Sequence, residues 1–213
     1  MVERTGPMRQ IARPFAVQAG RAVALVAATS LLASCLSIGS GEDPPAQLIT
    51  LTAQATAMPG LGSTASVDQA IAVVEPQVED RLNLKRVPVS IDATSVAYLD
   101  EAFLVDTPAR LMQHLLAETL RARTGRLVLE NAEPGVEAQT RLYSRLIEMG
   151  YNVPDSSVTV TLDAIRTLPD GQIASRRFSS SVPGIAPDAT GVAVALNQAA
   201  NVVAIEVADW LGS

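Results

Sequence analysis

The sequence predicts an α+β domain. We expect a two-layer sandwich in which a mostly antiparallel sheet carries two main helices on one side, preceded by a signal peptide and a flexible tether. Three observations lead there. Residues 140–182 alternate apolar and polar side chains in segments broken by turns, which is the period of a half-buried sheet. A long apolar stripe of period 3.6 runs toward the C-terminus, and a shorter one lies between a Thr-Pro pair and a glycine in mid-chain. The length of 213 residues suffices for one sizeable core. With aromatics at only 3%, alanine, valine and leucine must fill it.

The N-terminus has a different composition. Arg4, Arg9, Arg13 and Arg21 stand against a single Glu3, and Ala22–Ala33 carries no charge. A basic region followed by a short apolar run is a secretory signal pattern, and the run is shorter than a membrane span of about 20 residues. Met8 offers a second start besides Met1. The run ends in Leu32, Ala33, Ser34 and Cys35, which resembles a bacterial lipobox. In such a box the cysteine thiol takes a diacylglycerol, and cleavage before Cys35 frees its amine for a third chain. Cys35 is the only cysteine, so attachment is its expected role and redox work is not. Each buried methylene adds about 0.8 kcal/mol of membrane affinity, so three chains hold almost permanently. Leu36 stands where aspartate would signal inner-membrane retention, which implies sorting to the outer membrane, facing the periplasm. Three regions are therefore expected: signal peptide 1–34, lipidated tether 35–46 and folded domain 47–213.

Serine, glycine and proline dominate 36–46, the composition of a flexible linker. Gln47–Ala53 reads as a first short strand through Ile49 and Thr50. Val67–Val74 reads as a second, stopped at Glu75-Pro76. Val87–Ile91 and Ser95–Tyr98 are further extended segments, Pro88 marking an edge or an irregularity. Thr107 is placed to cap a helix, Pro108 to open it and Gly125 to end it, with Leu111, Leu115 and Leu120 along one side. Leu127–Leu129 follows as a buried strand. Thr140–Met149 suits a helix by Leu142 and Leu146 and a strand by alternation; we read it as the first strand of a three-stranded antiparallel meander. Val158–Ala164 and Ile173–Val182 complete that meander around a Pro169-Asp170-Gly171 turn. The last helix spans Thr190–Leu211 with Asp188 as cap. Its stripe is Val192, Leu196, Ala199, Val203, Val207 and Trp210, and Trp210 is expected near Phe178.

Chemical motifs are scarce. Removing residues 1–34 leaves 12 basic and 21 acidic residues, a net charge of −9, opposite in sign to a nucleic-acid-binding footprint. One histidine and one cysteine cannot supply the usual zinc site, and no cofactor is expected. The only lysine, Lys85, lies in no phosphate-binding loop, and Gly60, Gly62 and Ser63 do not make a nucleophile elbow. His114 sits within the first helix with no second ligand or nucleophile in view. Asp100 and Glu101 are adjacent acids expected to be solvated in a loop.

The order of features is nevertheless distinctive. A lipobox, a proline-containing tether, a Thr-Leu segment and Tyr98-Leu99 precede the helix Pro108-Ala-Arg-Leu-Met-Gln-His-Leu-Leu-Ala-Glu-Thr-Leu120. Arg176-Arg177-Phe178 and Ala195-Leu196-Asn197-Gln198-Ala199-Ala200 follow near the end. Together they resemble the ABC-type transport auxiliary lipoprotein family, partners of MCE-domain lipid transporters of the paraquat-inducible type. Gln47-Leu48 replaces an aromatic pair frequent in that family, and Asp100-Glu101-Ala102 replaces a frequent Arg-Pro-Gln. The resemblance implies a non-enzymatic outer-membrane component of a system moving lipids between the two membranes. Its implied partners are an MCE-domain protein with its permease and ATPase subunits, and self-association is compatible with it. A lipoprotein scaffold or regulator of cell-envelope enzymes is the main rival. A lipid hydrolase is disfavoured by the single mid-helix histidine.

Overall fold

The three longest strands form the meander expected over residues 140–182. The computed structural model describes residues 47–58, 60, 66, 69–130, 138–167 and 170–212. In chain order its elements are β1 (Ile71–Val73), β2 (Gln77–Val78), β3 (Arg86–Ser90), β4 (Val96–Phe103), α1 (Pro108–Thr124), β5 (Val128–Glu130), β6 (Thr140–Asn152), β7 (Ser157–Thr167), β8 (Ile173–Pro183) and α2 (Ala189–Gly212). A 3-10 turn occupies Asp80–Leu82.

The meander β6–β7–β8 is antiparallel throughout, as its alternation predicts. Val158, Val160, Leu162 and Ala164 of β7 face the core and are fully buried. A bulge at Ile147 shifts the register of β6, so Leu142 and Leu146 on one side of it and Met149 and Tyr151 on the other all point inward. That extra residue explains the helix-like spacing of Leu142, Leu146 and Met149 in a segment that is a strand.

The expectation of a mostly antiparallel, plain two-layer sheet needs correction. The sheet is mixed and curled. One edge of β6 is taken entirely by β7, while β1, β2 and β3 meet the other edge in succession, all parallel to it. β5 adds parallel to β1, and β4 adds antiparallel to β3. Short strands separated from β6 by dozens of residues cannot reveal such pairing through local periodicity. Gln47–Ala53 is also not a strand: it makes a single parallel bridge, between Ile49 and Leu104. Of Ser95–Tyr98, Val96–Tyr98 open the longer β4 and Ser95 precedes it. The register of β4 slips between Arg86 and Pro88, and the resulting bulge carries Asp100 and Glu101, the latter at a φ of 53°. Arg86 fills that bulge, its guanidinium 5.7 Å from the Tyr98 ring and 5.3 Å from the Phe103 ring, with Nη2 donating to the Leu99 carbonyl at 3.3 Å.

α1 starts at Pro108 and ends at Gly125, whose left-handed backbone (φ 63°) returns an N–H to the Arg121 carbonyl at 3.1 Å. Thr107 holds the cap position by backbone but makes no side-chain cap bond, contrary to expectation. Asp188 does cap α2, its Oδ1 accepting from the Gly191 N–H at 2.8 Å. α2 buries the expected row from Val192 to Val207. It also buries Ala200, Ala204, Ala208 and Leu211, because it packs on α1 as well as on the meander. Its mean hydropathy over 18 residues is 1.4, enough by length and composition to cross a membrane. Burial of 56% of that window within the fold identifies it as a core helix. Trp210 lies partly buried at the end of the helix, its ring 5.7 Å from Phe178 as anticipated.

Candidate functional site

The segment that follows the tether in sequence is fastened to the helices by side chains. Asn201 sits in the middle of α2 and is only 1% exposed. Its Oδ1 accepts from the Gln54 N–H at 2.8 Å, and its Nδ2 donates to the carbonyls of Thr52 at 2.9 Å and Asn197 at 2.8 Å. One turn earlier, Asn197 Oδ1 accepts from the Thr52 N–H at 2.8 Å, and Glu118 of α1 accepts from the Ala57 N–H at 2.8 Å. An amide presenting one acceptor and one donor to alternate residues of an extended peptide imitates a strand edge. This is how a helix surface holds a strap that joins the sheet only through the bridge at Ile49. Asparagines four apart, Asn201 falling among the apolar residues of the helix, were the sequence signal for it.

The helix-free face of the meander carries a charged row next to the exposed side chains of Tyr143, Ile165 and Ile173. Arg145, Asp163 and Arg177 stand opposite one another on β6, β7 and β8. Arg177 grips Asp163 with two hydrogen bonds, 2.5 Å from Nε and 2.7 Å from Nη2, and these hold the Asp163 carboxyl below its usual range. Cross-strand hydroxyl pairs continue the face, Thr161 with Ser179 at 2.8 Å and Thr159 with Ser181 at 3.0 Å. A shallow groove of about 440 Å³ lies beside the charged row, between Tyr143 and Ile165 and the Val74–Gln77 corner. It holds carboxylates of Asp163 and Glu75 and the guanidinium of Arg145, but no histidine or thiol. Tyr143 and Ser144 supply the hydroxyls of that lining.

The residues singled out in the sequence are dispersed. Leu32, Ala33, Ser34 and Cys35 lie outside the described residues, as does all of 1–46, where a signal peptide and tether are expected. His114 projects from α1 with 63% of its side chain exposed and pairs through Nδ1 with Glu130 of β5. Glu130 also accepts from Arg121 Nη2 at 2.7 Å, so the histidine belongs to a surface ion-pair cluster linking helix and strand. Asp100 and Glu101 are exposed on the β4 bulge and not in a loop. Among the described residues no group of three or more His, Cys, Asp or Glu side chains could hold a metal ion.

No protein-family model matches the chain, and no curated protein matches it. Solved structures do. Protein XCC0632 from Xanthomonas campestris, of family DUF330, superposes with a TM-score of 0.65 at 17% identity, covering 78% of this chain and 94% of that one. An uncharacterized protein superposes with a TM-score of 0.59 at 12% identity, over 68% of this chain and 92% of that one. These likenesses show a shared fold. Lipoprotein GNA1162 from Neisseria meningitidis is more distant, with a TM-score of 0.32 at 16% identity over 68% of this chain and 99% of that one, and supports no inference.

Proposed function

We propose that this protein is a non-enzymatic lipoprotein, held on the outer membrane by acyl chains on Cys35 and facing the periplasm. It serves there as the auxiliary subunit of an ABC/MCE-type system that moves lipids between the inner and outer membranes. The observation that carries the reading is the position of Leu32-Ala33-Ser34-Cys35. It lies directly behind a basic, then apolar leader, it contains the only cysteine of the chain, and a Ser/Gly/Pro linker follows it. The family resemblance, spread over the mature chain, supplies the transport role. A surface built of ion pairs, hydroxyl ladders and a shallow groove suits docking, while ATP hydrolysis belongs to a separate subunit.

Two experiments test the two halves. Cys35→Ser should leave the protein as an uncleaved precursor or a soluble species; mature variant still fractionating with outer membranes would refute the anchor. Pull-down of the wild-type chain from detergent-solubilised membranes should recover an MCE-domain protein with its permease and ATPase. Recovery of cell-wall enzymes in their place would favour a scaffold or regulator.

A further inference from the structure

The anchor fixes which side of the domain meets the membrane. Three backbone segments lie side by side where the strap enters the fold. The Ile49 N–H donates to the Phe103 carbonyl at 2.7 Å, Val105 N–H to the Ile49 carbonyl at 3.0 Å, and Leu104 N–H to the Lys85 carbonyl at 3.0 Å. Ile49 and Leu104 turn inward and are buried. Their neighbours Leu48, Leu84 and Val105 are 53%, 48% and 40% exposed, one from each segment. Lys85, the only lysine of the chain, stands among them, its Nζ donating to the Val105 carbonyl at 3.2 Å and 3.4 Å from Asp106. Asp106 also faces Arg110, which in turn faces Glu75, so the charges around the three apolar side chains pair off locally.

The chain length outside this patch says what covers it. Eleven residues separate Cys35 from Gln47. Eleven residues span about 20 Å on average as a random coil and about 40 Å fully drawn out. The folded part has a radius of gyration of about 15 Å. A tether that short, entering at Leu48, keeps the entry side toward the bilayer. We propose that Leu48, Leu84 and Val105, flanked by Lys85, form a patch that rests in the headgroup layer of the phospholipid surface carrying the anchor. Apolar side chains enter that layer while lysine and arginine keep their charges in water beside it. The proposal rests on the acylation of Cys35 proposed above. A second set of exposed apolar residues, Ile91, Val96 and Val153, lies at the far end of β3 and β4, about 20 Å away along the strand, and supplies an internal control.

The test uses the full precursor, processed in cells and purified in detergent. Acylation consumes the Cys35 thiol, so a cysteine introduced at Leu84, Val105 or Ile91 is the single reactive thiol. Each variant takes an environment-sensitive fluorophore and is reconstituted into vesicles of phosphatidylethanolamine and phosphatidylglycerol containing a brominated phosphatidylcholine. The proposal expects L84C and V105C labels to shift to the blue and lose most of their emission to bromine, while the I91C label keeps its emission in water. Protein that co-sediments with vesicles but shows equal, water-like emission at all three positions overturns the patch and leaves the anchor intact. So does a label shielded from water yet unquenched, which would indicate a protein partner or a second copy. Protein that fails to co-sediment and carries two reactive thiols overturns both.

Discussion

Gly150 sits at the closest approach of β6 to β3. A Cβ built there would stand 2.3 Å from the Pro88 carbonyl oxygen, which is backbone and cannot rotate away. Gly150→Ala should therefore destabilise by about 1–3 kcal/mol, as overpacking does, read from denaturant unfolding. An unchanged midpoint would mean that β3 can slide. Asn201→Leu leaves the Thr52 carbonyl and the Gln54 N–H without their partner. The expected loss is also about 1–3 kcal/mol, together with faster amide exchange at Gln54 while the meander amides stay protected. Asp163 makes a pH prediction. Its carboxyl titrates below the ordinary value of 3.8 in the folded state, chiefly because Arg177 hydrogen-bonds it. Such a group adds stability that is present above the unfolded pKa and disappears as pH falls through the folded one. The stability gap between wild type and Asp163→Asn should be small, because the pair is exposed, and should close below pH 3.8. His114→Ala removes one contact to Glu130 from a mostly exposed side chain and should stay within about 0.5 kcal/mol, with function intact.

α2 carries much of the core on its own. Its inward rows place Val192, Leu196, Ala199, Val203 and Val207 toward the sheet, and small alanines let α1 approach on the other flank. Ending the chain before Asn201 removes Val203, Ala204, Val207, Ala208 and Leu211 from that interior and should leave a species degraded rapidly by limited proteolysis. Trp210 matters less than a fully buried tryptophan. Its ring is only partly buried and lies 4.7 Å from the Arg166 guanidinium and 5.7 Å from the buried Phe178, with Arg176 5.0 Å beyond Phe178, so two cations flank an aromatic pair. Trp210→Ala is expected to cost about 2–3 kcal/mol, below the 3–5 of a fully enclosed site. Arg166 Nη1 still donates to the residue 210 carbonyl after the substitution. Thermal unfolding of the purified variant measures the cost, and a shift too small to detect would assign this end of the helix to docking.

Among the described residues the packed interior runs from Ile49 to Leu211. A version starting at Gln47 should remain in solution and unfold at the same temperature as the full acylated chain in detergent. A midpoint several degrees lower would mean that acylated residues contribute to the fold. Parallel contacts of β1, β2 and β3 with the distant β6 raise the mean sequence separation of contacts, which slows folding. Destabilising substitutions in β7 or β8 should therefore have milder effects on the folding rate if the meander forms after those pairings, and stronger ones if it forms first. Stopped-flow kinetics on Leu162→Ala distinguishes the two.

Elements whose cause is local are legible in the amino-acid order. α1 announces itself through Pro108 and Gly125, α2 through Asp188 and its stripe, and β7 and β8 through strict alternation. Long-range pairing is not legible there. Nothing near Ile71 or Gln77 says that these short strands run parallel to β6, and Ile147 gives no hint that it is a bulge that makes a strand look helical. Gln47–Ala53 has strand composition yet is claimed by Asn197 and Asn201, about 145 residues further along the chain. Likewise Leu48, Leu84 and Val105 are three scattered apolar residues until the fold sets their backbones edge to edge. Periodicity reports what one segment does about its own axis; which segments share a hydrogen-bond ladder depends on the burial that all of them achieve together.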